Sequence, residues 1–372
     1  MSKRKKVLIL GDIRGVYRIQ NVVKYFVDRP KEYAINLNTS WCKCRPLKYI
    51  KSLIFDPFTV AFSNMVYVNI LNVDVDILYQ LFWARLFRKK IIVDYYISIY
   101  EKVVADEKWF KEKSILAKLA KKLDKYYYNS ATKAVFLDEA EQEHYCEIIN
   151  AKEKQKNRKN VVIPLCVEKN TKVDFEKIYS KPEFSICWWG SYLPLHGLDK
   201  IFKAAQIVKN SNKNIKWYFF GNSDEKAVPY IKMAEGLGIL DVCKFENSFT
   251  MKNGKLTNFL VDNCSLAMGN FGDSVKARLV MNNKVVDACA MGMVVLTGNA
   301  KAYNCFFDEK KDIYMSDIEP EEIARNVLEI YNTETEILRK RAVNTYNIYE
   351  EYFTPEVFYK KFENLLNEIY QK

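Results

Sequence analysis

Short apolar runs recur along the chain. Each closes on a turn residue and is followed by a stretch with apolar side chains at helical spacing. "KVLIL" ahead of Gly11 reads as a buried strand, and apolar residues at 16, 19, 22, 23 and 26 then share one face of a helix. "YAINLN" reads as a second strand. "DVDILYQLFWARLFRKKIIVDYYIS" reads as strand, helix, strand, with "ILYQLF" as the first of these strands. "SILAKLAKKLDKYYYNSA" is amphipathic, "KAVFLDEAEQEHYCEII" gives a strand and then a helix, and "VVIPLCVE" a last strand. The alternation then restarts. "FSICWWG", "IKWYFFG", "CSLAMG" and "MVVLTG" read as strands, with helices such as "LDKIFKAAQIVKNS" between them. Strands alternating with helices specify parallel, doubly wound sheets. Two such series predict an α/β chain of two doubly wound domains, residues 1–168 and 169–351, parted by the polar, weakly patterned segment 167–184.

Composition narrows the class. A chain of 372 residues exceeds one ordinary core, and with 49% hydrophobic residues it can fill two. The first apolar run is too short for a signal peptide. The longest apolar-leaning region is interrupted by Asn64, Asn69, Asn72, Asp74 and Asp76, which argues against a membrane span. The expectation is a cytoplasmic, soluble protein. Nine cysteines without a repeated spacing and two histidines argue for reduced thiols used as small apolar residues, with no zinc site.

Charge is unevenly distributed. Residues 1–170 hold 32 Lys/Arg against 19 Asp/Glu, whereas residues 171–372 hold 26 against 27, so the net +12 lies in the first half. Tracts such as "RLFRKK" and "LAKLAKKLDKYYY" suit an acidic membrane surface or a phosphorylated partner, or form a solvated lysine-rich face. No nucleic-acid recognition motif accompanies them.

The densest chemistry lies in 271–298, "FGDSVKARLVMNNKVVDACAMGMVVLTG". Lys276, Arg278 and Lys284 precede or open a helix, and Asp287 follows one turn in. Cations beside a helix start suit a nucleoside diphosphate, and an acid one turn later suits its ribose. In open parallel sheets, ligands sit where strand ends lead into helices. The loops at 11–15, 190–197, 221–224, 269–276 and 298–300 occupy such places. The "DVD" at 74–76 mimics an Asp-x-Asp metal motif, but reads better as the lead into a strand.

The blocks "WWGSYLPLHGLDKIFKAAQIV", "WYFFGNSDE" and "GNFGDSVKARLVMNNKVVDACAMGMVVLTGNAKAY", across residues 184–307, resemble the donor half of glycosyltransferase family 4. "DYYISIYEKVVADEKWF" and "VVIPLCVE" look like its acceptor half. The resemblance implies the GT-B architecture, two Rossmann-like domains facing across a cleft, with a C-terminal helix of about 352–372 packing back on the first. It implies retaining transfer from a nucleotide-sugar co-substrate, a UDP-sugar ahead of a GDP-sugar, with no cofactor or obligatory metal. The acceptor expected is a glycan or polyprenyl-phosphate-linked glycan used in cell-surface polysaccharide assembly, met at the inner face of the membrane. A non-catalytic nucleotide-sugar-binding protein is the alternative.

Lys276 and Arg278 are expected to hold the leaving diphosphate in place of the family's usual clamp, and His196 to hydrogen-bond a phosphate or the transferred sugar. Gly190, Ser191, Gly197, Gly221, Gly269, Gly272, Asn283, Lys284 and Asp287 line the donor site. Gly11, Arg14, Gly15, Arg18, Asp94 and Ser98 lie on the acceptor side. There are departures. Ser191 and His196 stand where the family carries Arg and Lys, and Leu279 stands where it carries the first of two glutamates.

Overall fold

The computed structural model describes residues 4–11, 17–38, 45–70, 75–106, 108–169, 172–211, 213 and 215–371. It divides the chain into two compact units, one of residues 1–166 with 355–372, the other of residues 167–354. Each is built on a six-stranded parallel sheet.

The first sheet comprises β1 (Lys5–Leu10), β2 (Tyr33–Asn38), β3 (Met65–Asn69), β4 (Lys90–Asp94), β5 (Lys133–Phe136) and β6 (Asn160–Val162). Its order is β2-β1-β3-β4-β5-β6, all parallel. Successive side chains point to opposite faces, and both faces are covered. Leu8, Leu10, Val66, Val68, Ile91 and Val93 enter one core; Val7, Ile9, Met65, Tyr67, Ile92 and Val135 enter the other. That second core is completed by Phe358, Phe362, Leu365 and Ile369 of the terminal helix Pro355–Gln371.

One strand expectation is corrected. "ILYQLF" lies in the helix Val75–Leu86, and the strand preceding β4 in space is Met65–Asn69. Ile77, Leu81 and Ala84 are buried at spacings of four and three, the signature of a helix face. The run misleads because Leu78 and Trp83 also pack on the core, so the helix is apolar around most of its girth. Asp76 falls in its first turn, and Asp74 lies outside the described residues.

The second sheet comprises β7 (Ser185–Trp189), β8 (Lys216–Phe220), β9 (Cys243–Glu246), β10 (Leu266–Met268), β11 (Val294–Gly298) and β12 (Tyr314–Ser316). Its order is β12-β11-β10-β7-β8-β9, again parallel. Ile186, Trp188, Trp217, Phe219, Met268 and Leu296 share one core with the helices Leu198–Asn210 and Pro320–Asn332. The chain begins at β7, builds outward through β8 and β9, then returns to add β10 on the other side. The strand order therefore reverses between β7 and β10, and ligands favour such a reversal. In the first sheet it reverses between β1 and β3. Among the described residues, no helix is long and apolar enough to cross a membrane.

Candidate functional site

In the second unit, buried polar groups gather at the reversal point. Gly190 follows β7 with φ +147°, a conformation that side chains rarely adopt. A Cβ there would lie 3.2 Å from His196 Cε1 and 3.4 Å from Lys284 Nζ. His196 closes the short helix Pro194–His196, and its main-chain carbonyl accepts from Phe271 N at 3.1 Å, which ties the loop after β7 to the loop after β10. Gly197 makes that approach feasible. Its φ is +64°, and a Cβ would stand 2.4 Å from the Phe271 carbonyl carbon.

From the loop after β10 the connections continue to β11. Asn270 N donates to Thr297 Oγ1 at 3.3 Å, the Thr297 hydroxyl reaches Tyr303 at 3.4 Å, and Asn282 Nδ2 donates to the Tyr303 hydroxyl at 2.9 Å. Asn282 caps the helix Asn283–Ala290, but its side chain gives no acceptor to the first turn. That turn carries Lys284, whose ammonium sits 4.3 Å above the Trp188 ring. Asp287 follows, accepting from Trp189 Nε1 at 3.5 Å.

Several of these buried groups lack a protein partner: His196 Nδ1, both side-chain polar atoms of Asn270, Asn282 Oδ1 and Lys284 Nζ. Lys284 is 6% exposed and Asn270 5%. Each unsatisfied buried group costs about 1–3 kcal/mol. Such groups near a helix start whose N-cap side chain makes no hydrogen bond suit an anion that also carries hydroxyl groups. Burial sets the protonation of the cluster. It pushes the Lys284 ammonium well below its ordinary value, opposed by Asp287. It lifts the Asp287 carboxyl to about 7, against the Trp189 hydrogen bond and Lys284. His196 is lowered to about 2, first by burial and then by Lys284.

The sequence ranking changes in this light. Lys276 and Arg278 were expected to be the leading cations. Both lie on a turn in which Ala277 and Leu279 take the inward positions, leaving Lys276 half-buried and Arg278 exposed. The buried cation is Lys284. Ser191 Oγ accepts from Asn222 Nδ2 at 3.2 Å, and Asn283 is half-buried at the helix start. Gly221, Gly269 and Gly272 back onto the Tyr192 ring, the Thr297 hydroxyl and the Leu195 carbonyl; a Cβ would come within 2.0–2.2 Å of each. They bring protein segments together rather than admit a ligand from that side. Asn270, Asn282, Trp188 and Tyr303 escaped the sequence reading. Single Asn residues in loops carry no periodic signal, and only the fold shows that their amides are buried.

In the first unit, Arg18, Asp94 and Ser98, expected on the acceptor side, are each engaged by partners within the unit. Arg18 Nε donates to Asp94 Oδ2 at 2.8 Å, and its Nη1 donates to the carbonyls of Ile163 and Pro164 at 2.9 and 3.1 Å. The Tyr67 hydroxyl also donates to Asp94. Arg18 is 2% exposed and Asp94 0%, because β4 ends inside a sheet covered on both faces. The Ser98 hydroxyl, buried as well, accepts from Glu101 N at 3.0 Å. Gly11 follows β1 at that sheet's reversal, with φ +106° and a Cβ position 2.4 Å from the Asn69 carbonyl oxygen. Arg14 and Gly15 lie outside the described residues. His144 pairs with the buried Glu101 carboxylate, a contact that no local spacing signals.

No protein-family model matches the chain, and no curated protein matches it by sequence. Solved structures do match its fold. Sucrose-phosphate synthase from Thermosynechococcus elongatus superposes with a TM-score of 0.73 at 11% identity, over 99% of this chain and 100% of the other. HepE from Anabaena, solved in complex with UDP-glucose, gives 0.70 at 12% identity over 98% and 100%. A UDP-forming trehalose-phosphate synthase from Burkholderia xenovorans gives 0.65 at 11% identity over 99% of both chains. At these identities the likeness is one of fold: two Rossmann-like parallel sheets of the GT-B glycosyltransferase type.

Proposed function

We propose that the chain is a glycosyltransferase whose second unit binds a nucleotide-sugar, a UDP-sugar ahead of a GDP-sugar, and transfers the sugar with retention to a glycan or lipid-linked glycan. The observation that carries this reading is the unpartnered Lys284 ammonium at the start of the helix Asn283–Ala290, beside Gly190 and His196 at the sheet's reversal point. HepE, which shares the fold, was solved with UDP-glucose.

The residues have complementary roles in this reading. A leaving nucleoside diphosphate gains negative charge as the glycosidic bond breaks. Lys284 and the first-turn amides face that charge, and a bound diphosphate favours the ammonium form of Lys284 that burial alone disfavours. His196, kept neutral by burial, offers a hydrogen bond without a second positive charge. Asp287 and the Asn270 and Asn282 amides suit the hydroxyl groups of ribose and sugar. Lys276 and Arg278, at the more exposed turn, assist the diphosphate from the solvent side. The basic first unit favours acceptors that carry phosphate.

The test is calorimetric titration of UDP, GDP and their glucose conjugates into the wild-type protein and Lys284→Met. The expected result is binding of one nucleotide class, weakened about 100-fold by the substitution. Wild-type affinity in the variant overturns the assignment. Donor binding with neither transfer nor hydrolysis would favour a binding protein over an enzyme.

A further inference from the structure

The first unit has a concavity of about 590 Å³ at the N-terminal ends of its strands. Ligands in parallel sheets gather at the C-terminal strand ends. This concavity lies at the N-terminal ends of three neighbouring strands, β4, β5 and β6, where Lys90 opens β4, Lys133 opens β5 opposite Ile92, and Lys159 immediately precedes β6. Arg85, Arg88, Lys89 and Arg158 complete its cationic lining, and its single acid is Glu368.

Ordinary structural roles explain part of this charge. Lys89 Nζ donates to the Ala61 and Ser63 carbonyls at 2.6 and 2.7 Å, and Lys159 Nζ to those of Tyr128 and Asn129 at 3.1 and 3.0 Å. These lysines satisfy carbonyls at helix ends. Lys133 pairs with Glu368 at 2.6 Å, and Arg85 lies 5.4 Å from the Tyr126 ring centre. Arg88, Lys90 and Arg158 have no comparable explanation: no described acid lies within ion-pair distance of them. Arg88 moreover adopts φ +52° just past the helix Val75–Leu86, where glycine is the unstrained choice. The cations repel one another. Burial lowers Lys159 first, and Arg158 and Arg85 lower it further.

We propose that this concavity is a phosphate-binding site, separate from the candidate donor site, that takes a multiply charged phosphate group either free in solution or as a lipid headgroup. Several cations converging in a concave setting, with one already-paired acid among them, match a phosphomonoester or diphosphate better than a monovalent ion. The exposed Leu86 and Phe87 adjoin Arg88 and would favour a lipid carrier.

Two probes distinguish the carriers: inorganic pyrophosphate, followed by calorimetry, and phosphatidic acid vesicles against phosphatidylcholine vesicles, followed by co-sedimentation. Both are applied to the Lys284→Met protein, so that the buried cation of the other unit does not contribute, with and without Arg88→Ala and Arg158→Ala. Both arginines are exposed, so the variant retains its fold, verified by its melting curve. Pyrophosphate binding weakened at least tenfold by the double substitution identifies a free phosphate ligand. Selective binding to phosphatidic acid, lost in the same variant, identifies a headgroup. Binding of neither probe, or equal binding with and without the two arginines, overturns the proposal.

Discussion

Lys284 places an ammonium where water does not reach and no acceptor answers it. A hydrophobic side chain of similar length removes that cost. Lys284→Met is therefore expected to raise the stability of the ligand-free protein by about 1–3 kcal/mol, measured by denaturant titration, while it removes nucleotide binding. Its neighbour Asp287 gives a pH signature. The carboxyl is lifted to about 7 by burial. Below about pH 4 it is protonated in folded and unfolded chains alike. Between there and 7 only the unfolded chain releases the proton, so the contribution is lost as pH rises through the folded value. Asp287→Asn should gain stability relative to wild type on going from pH 5 to pH 8; a constant difference would mean that the carboxyl is solvated. Asp124, lifted to about 7, and Asp138, lifted to about 6, act in the same direction in both proteins and cancel in the comparison. His196 offers a further check. With only two histidines in the chain, its ring resonance can be followed by NMR. It should keep its neutral position down to about pH 4, because burial and Lys284 hold its value low. A midpoint near 6 would place the ring in water.

At the scale of elements, the terminal helix Pro355–Gln371 is the clearest case of a segment whose role lies far from its sequence neighbours. Phe362 is fully buried and meets Tyr25, Phe26 and Tyr67 edge-on at centroid distances of 5.0, 5.6 and 6.0 Å. Phe362→Ala should cost the first unit about 3–5 kcal/mol, seen as a lowered first transition in thermal unfolding. Strand periodicity made most sheet elements readable. The helix Val75–Leu86 was not readable, because a helix packed on several sides loses the polar stripe that betrays its period.

At the scale of the whole molecule, the two units differ in continuity. The second is one uninterrupted stretch, 167–354, and holds the whole candidate donor cluster. Expressed alone it should fold and bind the same nucleotide as the full chain, within a few-fold in dissociation constant. A fragment that folds but fails to bind would show that the cluster needs the first unit. The first unit requires residues 355–372 for its core, so truncation before Pro355 should leave it open to proteolysis.

Sequence alone determined the parallel α/β class and the restart of the pattern near residue 170, and marked 271–298 as the stretch densest in charged and polar chemistry. These follow from local periodicities and from residue types held within one short stretch. Tertiary structure decided which side chains are buried, that Arg18 and Asp94 answer each other across 76 positions, and that Asn270 and Asn282 keep buried amide atoms without a protein partner. Burial and partnership are set by what the rest of the chain brings alongside, and no local spacing encodes that.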